Sequence, residues 1–297
     1  MSNNPGRVLI LGAGYLGTAL ADRLAAEGRE VFAASRTNPR DRRSDRTAGK
    51  ADDERWRWLA ADVTRRQTLV TLPECPAVVV CVGHQRGGKT SADELHRIGM
   101  SNLLDAISKW SMTPNVVLVS TTGVYAQTGG VWVDQRSVAR PNRESAKAHL
   151  RGEDVLRHRH PSGQWTILRM SGLYGPERLP QVQRLVRGDP IAADPDTYLN
   201  LVHRDDAVAA MHAAIDRSIG GLFCVSDDTP VLRGEYYRAL ASAVGGPPPT
   251  FQTAADASRR QTNRRVDNRR VKTLLVPKLS HPRTIDGVVE TVREGDR

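Results

Sequence analysis

Along the first half of the chain, apolar residues fall in short unbroken runs separated by stretches with helical spacing. RVLIL (7–11), AVVVCVG (77–83), NVVLVS (115–120) and QWTILRM (164–170) are continuously apolar instead of alternating. That is the pattern of parallel strands covered by helices on both faces. EVFAASR (30–36) and WLAAD (58–62) supply two further strands. GTALADRLAAEG closes on Gly28, and with ELHRIGMSNLLDAISKW and RESAKAHLRGE it repeats apolar positions at helical intervals. Strands alternating with helices predict an α/β fold, a Rossmann-type doubly wound parallel sheet.

After Pro176 the alternation loosens. DDAVAAMHAAIDRSI and GEYYRALASAVGG read as helices and GLFCVSD as a strand. GGPPPTF is a break, and VDNRRVKTLL is a last short helix. The expected division is a first domain over 1–175 and a smaller C-terminal lobe over 176–297, partly interleaved with the sheet. Residues 37–57 are polar and charged and predict a mobile loop.

Composition changes this picture little. The 297 residues carry a formal charge of +10, almost all of it from arginine. A basic balance fits nucleic acid, an anionic surface or an anionic small molecule. The arginine-rich segments lack stacking aromatics and a recognised nucleic-acid module, so a nucleic-acid partner is not expected. Arg7 followed by VLILGAGYLGTALA resembles a secretory signal, but its glycines have another explanation given below. No apolar stretch reaches the roughly 20 residues of a membrane span. Cys75, Cys81 and Cys224 are scattered, and two lie in apolar runs; reduced thiols in the cytoplasm are expected. No His, Cys or Asp grouping has metal-ligand spacing, and no G-x-S-x-G is present.

Candidate chemistry begins at GAGYLG (12–17), a G-x-G-x-x-G that directly follows a strand and opens a helix. Gly12 permits the tight turn and Gly14 the approach of a pyrophosphate. Gly17 allows helix–strand packing, with Tyr15 and Leu16 in the first turn. At the end of the second strand, where an NAD site presents an acid, stand Ser35 and Arg36. An arginine pairs with a 2′-phosphate, so NADP is favoured over NAD, with Arg40, Arg42 or Arg43 as helpers. Asp62 and Val63 follow the third strand, where they would meet an adenine. Gly83 follows the fourth and leaves room for the cofactor.

In order, GAGYLG, AADV, STTGVYA, RMSGLYGP, LVHRDDAV and FCVSDDTPV resemble the extended short-chain dehydrogenase/reductase superfamily, in its atypical NAD(P)-dependent epimerase/dehydratase-like branch. The resemblance implies NAD(P) in the first domain and a small-molecule substrate against the second. It makes a homodimer a reasonable assembly. It implies Thr121 as the hydroxyl that polarises the substrate, and puts Tyr125 near the reactive end of the cofactor. Gly172 and Leu173 would run past the nicotinamide, Tyr174 would lie with them, and His203 at the base of the substrate lobe. His84, after the fourth strand, lies where substrate could reach it.

The superfamily uses Tyr-x-x-x-Lys on the helix that begins near 144, and this chain has no tyrosine there. If Glu153 is aligned with the glutamate that commonly follows the lysine by four, Ser145 falls in the tyrosine slot and His149 in the lysine slot; if Lys147 is instead the lysine, Arg143 falls in the tyrosine slot. Ser145, His149, Gly152 and Leu156 share a helix face, with Lys147 nearly opposite. Three readings follow: His149 handles the proton, Tyr125 replaces the missing tyrosine, or the site binds cofactor with little chemistry. The expected function is therefore an NADP-dependent oxidoreductase or epimerase/dehydratase-like enzyme. The alternative is a non-catalytic NADP-binding sensor.

Overall fold

The computed structural model describes residues 6–39, 55–84, 88–160, 164–252 and 262–295. Most of the expected loop 37–57 lies outside them, as do Arg40, Arg42 and Arg43. Five strands open the chain: β1 (Arg7–Leu11), β2 (Glu30–Ser35), β3 (Arg57–Ala60), β4 (Ala77–Val80) and β5 (Asn115–Thr121). Their pairings, β3–β2, β2–β1, β1–β4 and β4–β5, are all parallel. Trp165–Met170 and then Gly221–Val225 extend the sheet beyond β5 to seven strands.

Helix α1 (Tyr15–Ala26) joins β1 to β2, α2 (Gly99–Ile107) precedes β5, and α3 (Glu144–Arg159) precedes the sixth strand. Apart from the edge strand β3, the strands are buried along most of their length, as a sheet covered on both faces requires; Val8, Leu9, Ile10, Val78 and Val79 are wholly excluded from solvent. The strand order reverses between β1 and β4. In open α/β sheets such a switch point leaves a crevice beyond the carboxyl ends of the strands.

The chain divides into two compact units. The first comprises Met1–Val124, Pro141–Arg169 and Val208–Leu222; the second comprises Tyr125–Arg140, Met170–Ala207 and Phe223–Arg297. Interleaving therefore goes further than a single cut near 176. Each unit has its own core, the first around Leu9, Val78, Leu103, Val116 and Ile167. The second packs around Tyr174, Leu201, Tyr236, Leu240 and Val288.

Two elements differ from the sequence-based expectation. ELHRI (94–98) is a π-helical turn preceding α2, not part of one continuous α-helix. QWTILRMSGLYGP is two strands, because Gly172–Tyr174 leaves the main sheet and pairs in parallel with Leu201–His203. A helix at Thr284–Gly295 was not expected. Ile285, Val288, Val289 and Val292 give it an apolar stripe at helical spacing, interrupted for a sequence reader by Gly287.

Candidate functional site

The GAGYLG turn closes at the switch point. Gly12 has φ +110°, and a Cβ there would lie 2.7 Å from the Cys81 backbone, so the chain just beyond β4 runs past too closely for a side chain. A Cβ on Gly17 would lie 2.0 Å from Gly12 O, which fixes that position as glycine by packing. Around Gly14, by contrast, nothing lies within 4 Å of a Cβ. This is a cradle that a ligand could approach. The α1 N-terminus supports an anion there. Gly14 supplies no side-chain cap, and the first turn carries no acidic residue to offset the helix dipole. Tyr15 and Leu16 stand in that turn, Leu16 facing the core.

At the end of β2, the Ser35 hydroxyl donates to Thr37 O at 2.8 Å and accepts from Trp58 Nε1 at 3.1 Å. Ser35 thus shapes the turn that presents the exposed Arg36. Arg36, Gly83, His84 and Thr90 line one small cavity. Asp62 is built into an Asx turn: Oδ1 accepts from Thr64 N at 3.0 Å and Thr64 Oγ1 at 2.8 Å. Val63 is buried and lines a second cavity, with His96 and His149.

Thr121 ends β5, and its Oγ1 accepts the Gly123 N–H at 3.0 Å, which leaves its own proton for donation. Beneath it, Ser120 Oγ donates to Glu153 Oε1 at 2.6 Å. Arg169 grips the same carboxylate through Nε at 3.0 Å and Nη2 at 2.6 Å. Glu153 and Arg169 are both buried. This network ties α3 to β5 and to the sixth strand. Arg169 was not singled out in the sequence, where an arginine inside an apolar run was the available signal.

One turn before Glu153 on α3, the His149 ring lies 3.6 Å from the ring of His96. Burial, helped by neighbouring His84, lowers His149 to about 4, and burial lowers His96 to about 3. Both are therefore neutral imidazoles at physiological pH, with a free lone pair to accept a proton, and weaker bases than an exposed histidine. Lys147 pairs with Glu144 at 2.6 Å on the exposed face, as its position nearly opposite His149 implies.

The remaining candidates belong to the second unit. Tyr125 is fully buried, donates to Asp134 O at 2.7 Å and lies 3.4 Å from Cys224 Sγ. Its hydroxyl is committed to the interior of its unit, which favours packing over proton transfer. Gly172 is exposed and Leu173 half-buried. Tyr174 is wholly buried, with its hydroxyl 2.2 Å from where a Gly287 Cβ would stand. His203 meets the Tyr174 ring at 5.1 Å and stacks on His281 at 3.6 Å. Burial lowers His203 to about 4. Tyr174 and His203 are thus interior groups rather than exposed contacts, packed on a C-terminal helix that sequence reasoning missed. Among the described residues no group of three or more His, Cys, Asp or Glu is arranged to hold a metal ion. Nor is any described helix long and apolar enough to cross a membrane.

The chain is similar to several known proteins. Protein YeeZ of Escherichia coli K12 is 28% identical over 254 residues, covering 85% of this chain and 89% of its own. The 3-diazoavenalumate denitrifying reductase of a Streptomyces species is 26% identical over 315 aligned positions, covering 95% and 99%. A solved protein of Methylobacillus flagellatus, assigned as an NAD-dependent epimerase/dehydratase, superposes with a TM-score of 0.76 at 27% identity, over 98% of this chain and 99% of that one. DesIV, the dTDP-glucose 4,6-dehydratase of Streptomyces venezuelae solved with NAD, superposes with a TM-score of 0.80 over 97% and 96%; at 22% identity it speaks for the fold alone. A sequence model of the NAD dependent epimerase/dehydratase family matches residues 8–222, which takes in the glycine turn, the β2 end, Thr121 and all of α3; the chain belongs to that family.

Proposed function

We propose that the protein is an NADP-dependent oxidoreductase or epimerase/dehydratase-like enzyme acting on a small molecule, with a non-standard proton donor, which is the acceptor in the oxidative direction, in place of Tyr-x-x-x-Lys. The observation that carries this reading is the crevice at the switch point. There an uncapped helix N-terminus stands behind Gly14, and Arg36 shares a cavity with Gly83 and His84. Family membership supports a nicotinamide dinucleotide in that crevice.

Bound NADP(H) would supply the hydride chemistry. The chain's own residues would do the rest. The Gly12–Gly17 turn would take the pyrophosphate and Arg36 the 2′-phosphate, where an acid would repel it. Thr121 would donate to the substrate oxygen, and His149 would accept the proton released from it. The buried or half-buried thiols fit a cytoplasmic setting.

A second reading, an NADP-binding sensor that turns nothing over, draws on one observation. The family's tyrosine is missing, and the Tyr125 hydroxyl is bonded inside its own unit. Calorimetric titration with NADPH and NADH decides the cofactor first. Selective NADPH binding is expected, and Arg36→Ala should weaken NADPH by about tenfold or more while sparing NADH, the loss of one charge-assisted contact. Equal losses would remove the 2′-phosphate assignment. A substrate screen on the NADP-loaded protein then separates enzyme from sensor.

A further inference from the structure

The segment between β4 and α2 has an unusual build. Ser91 and Glu94 form a reciprocal capping box: Glu94 N donates to Ser91 Oγ at 3.1 Å and Ser91 N to Glu94 Oε2 at 2.7 Å. The helix that this box starts is widened at once into the π turn Glu94–Ile98. Such turns are rare and often mark functional positions. Here the turn aims Leu95 and His96 inward. Gly152 on α3 lets it come close, since a Cβ there would lie 2.7 Å from His96 O. On the outside, Asp93 bonds Arg97 at 2.8 Å and Arg151 of α3 at 2.9 Å.

The product of this arrangement is the contact of the His96 and His149 rings at 3.6 Å, beside a water-sized cavity of about 10 Å³ walled by Val63, Val82, Leu95 and Leu118. His96 is only 6% exposed, and its Nε2 has no hydrogen-bond partner among the described residues. Packing alone would be served better by a phenyl ring or a leucine, which leave no polar atom unbonded. We infer that His96 is a positioning residue for His149: the π turn sets its ring against His149, fixing that imidazole's orientation and shielding it from water so that it meets substrate as a proton acceptor. The inference rests on the proposed role of His149.

The charged and titratable groups around the pair are few. His84, after β4, is exposed and bears electrostatically on both rings. Glu153, one turn on along α3, is held by Ser120 and Arg169. Glu94 and Arg97 on the π turn face solvent. Among the described residues no carboxylate contributes to His149, and burial dominates its lowered value.

The test is an NMR titration of the histidine C2–H resonances in the full chain, with His149 assigned from the spectrum of His149→Gln. Calorimetric NADPH binding is measured on the same samples. In the wild type, His149 is expected to titrate near 4. His96→Ala, which opens the pair to water, should move His149 toward the ordinary imidazole value of 6.5. His96→Phe, which keeps a stacked ring without a titratable group, should leave it low. A wild-type midpoint near 6.5, or one that is unchanged in folded His96→Ala, overturns the inference. If His96→Ala does not fold, His96→Phe still decides, because a raised midpoint there would show that the stack is not what holds His149. Absence of NADPH binding by the wild type overturns the underlying enzyme reading, and the inference with it, whatever the titration shows.

Discussion

Each unit buries a carboxylate, and the two are handled in opposite ways. Glu153 in the first unit accepts a bidentate arginine and a serine hydroxyl while fully excluded from solvent. Asp227 in the second unit is 1% exposed and has Thr284 as its side-chain partner, its Oδ1 being unbonded. Burial pushes Asp227 up to about 8, so near neutrality it is a protonated acid. A paired charge fixes the register of α3 against β5, and therefore where Thr121 and His149 stand. A neutral acid ties the C-terminal helix down without a counter-ion. The difference teaches that burial alone does not say whether an acid is charged. The neighbours decide.

Breaking the charged network should have the largest effect. Arg169→Met strands Glu153 in the interior and should cost about 3–5 kcal/mol in chemical denaturation. Glu153→Leu combined with Arg169→Met should recover much of that loss, since no unpaired charge is left behind. A double variant as damaged as the single one would mean that packing, not charge, dominates at this point.

The pH dependence sharpens the comparison. Between about 4 and 6.5 the imidazoles of His96, His149 and His203 bind fewer protons folded than unfolded, so their contribution to stability is lost as pH falls through that range. Asp227 acts the other way. Its folded value lies above its ordinary 3.8, so its contribution is present at acid pH and is lost as pH rises through about 8. Three imidazoles outweigh one carboxyl at the acid end. Melting temperature should therefore rise toward pH 6.5 and decline above it, and His203→Phe should flatten the acid limb.

Asp227→Asn is the gentlest change. At pH 4, near the ordinary carboxyl value and well below the folded one, it should leave stability within about 1 kcal/mol of wild type, because a neutral group then replaces a largely neutral group in both the folded and the unfolded chain. At pH 9 it should melt above wild type, where Asp227 would have to ionise in the interior. A variant that melts below wild type at both pH values would mean that Asp227 is charged in the fold.

Much of the first unit was legible in the sequence. The short, β-branched apolar runs at β1, β4 and β5 have the length and composition of strands buried on both faces, and the spacing of Gly12, Gly14 and Gly17 states its own backbone requirement. The absence of tyrosine from α3 was equally plain. Local chemistry determines all of these, so a linear reading reaches them. The π turn, the stack of His96 on His149 and the clamp of Arg169 on Glu153 were not legible. Each joins groups from separate elements, and their value depends on a distance of a few ångströms that spacing along the chain does not specify. The fates of Tyr125, Tyr174 and His203 follow the same rule. The sequence shows side chains able to do proton chemistry, and only the tertiary structure shows that Asp134, Gly287 and His281 surround them. Period and backbone demand are properties of the chain itself; burial and partnership arise when distant segments meet, and they decide what a titratable group can do.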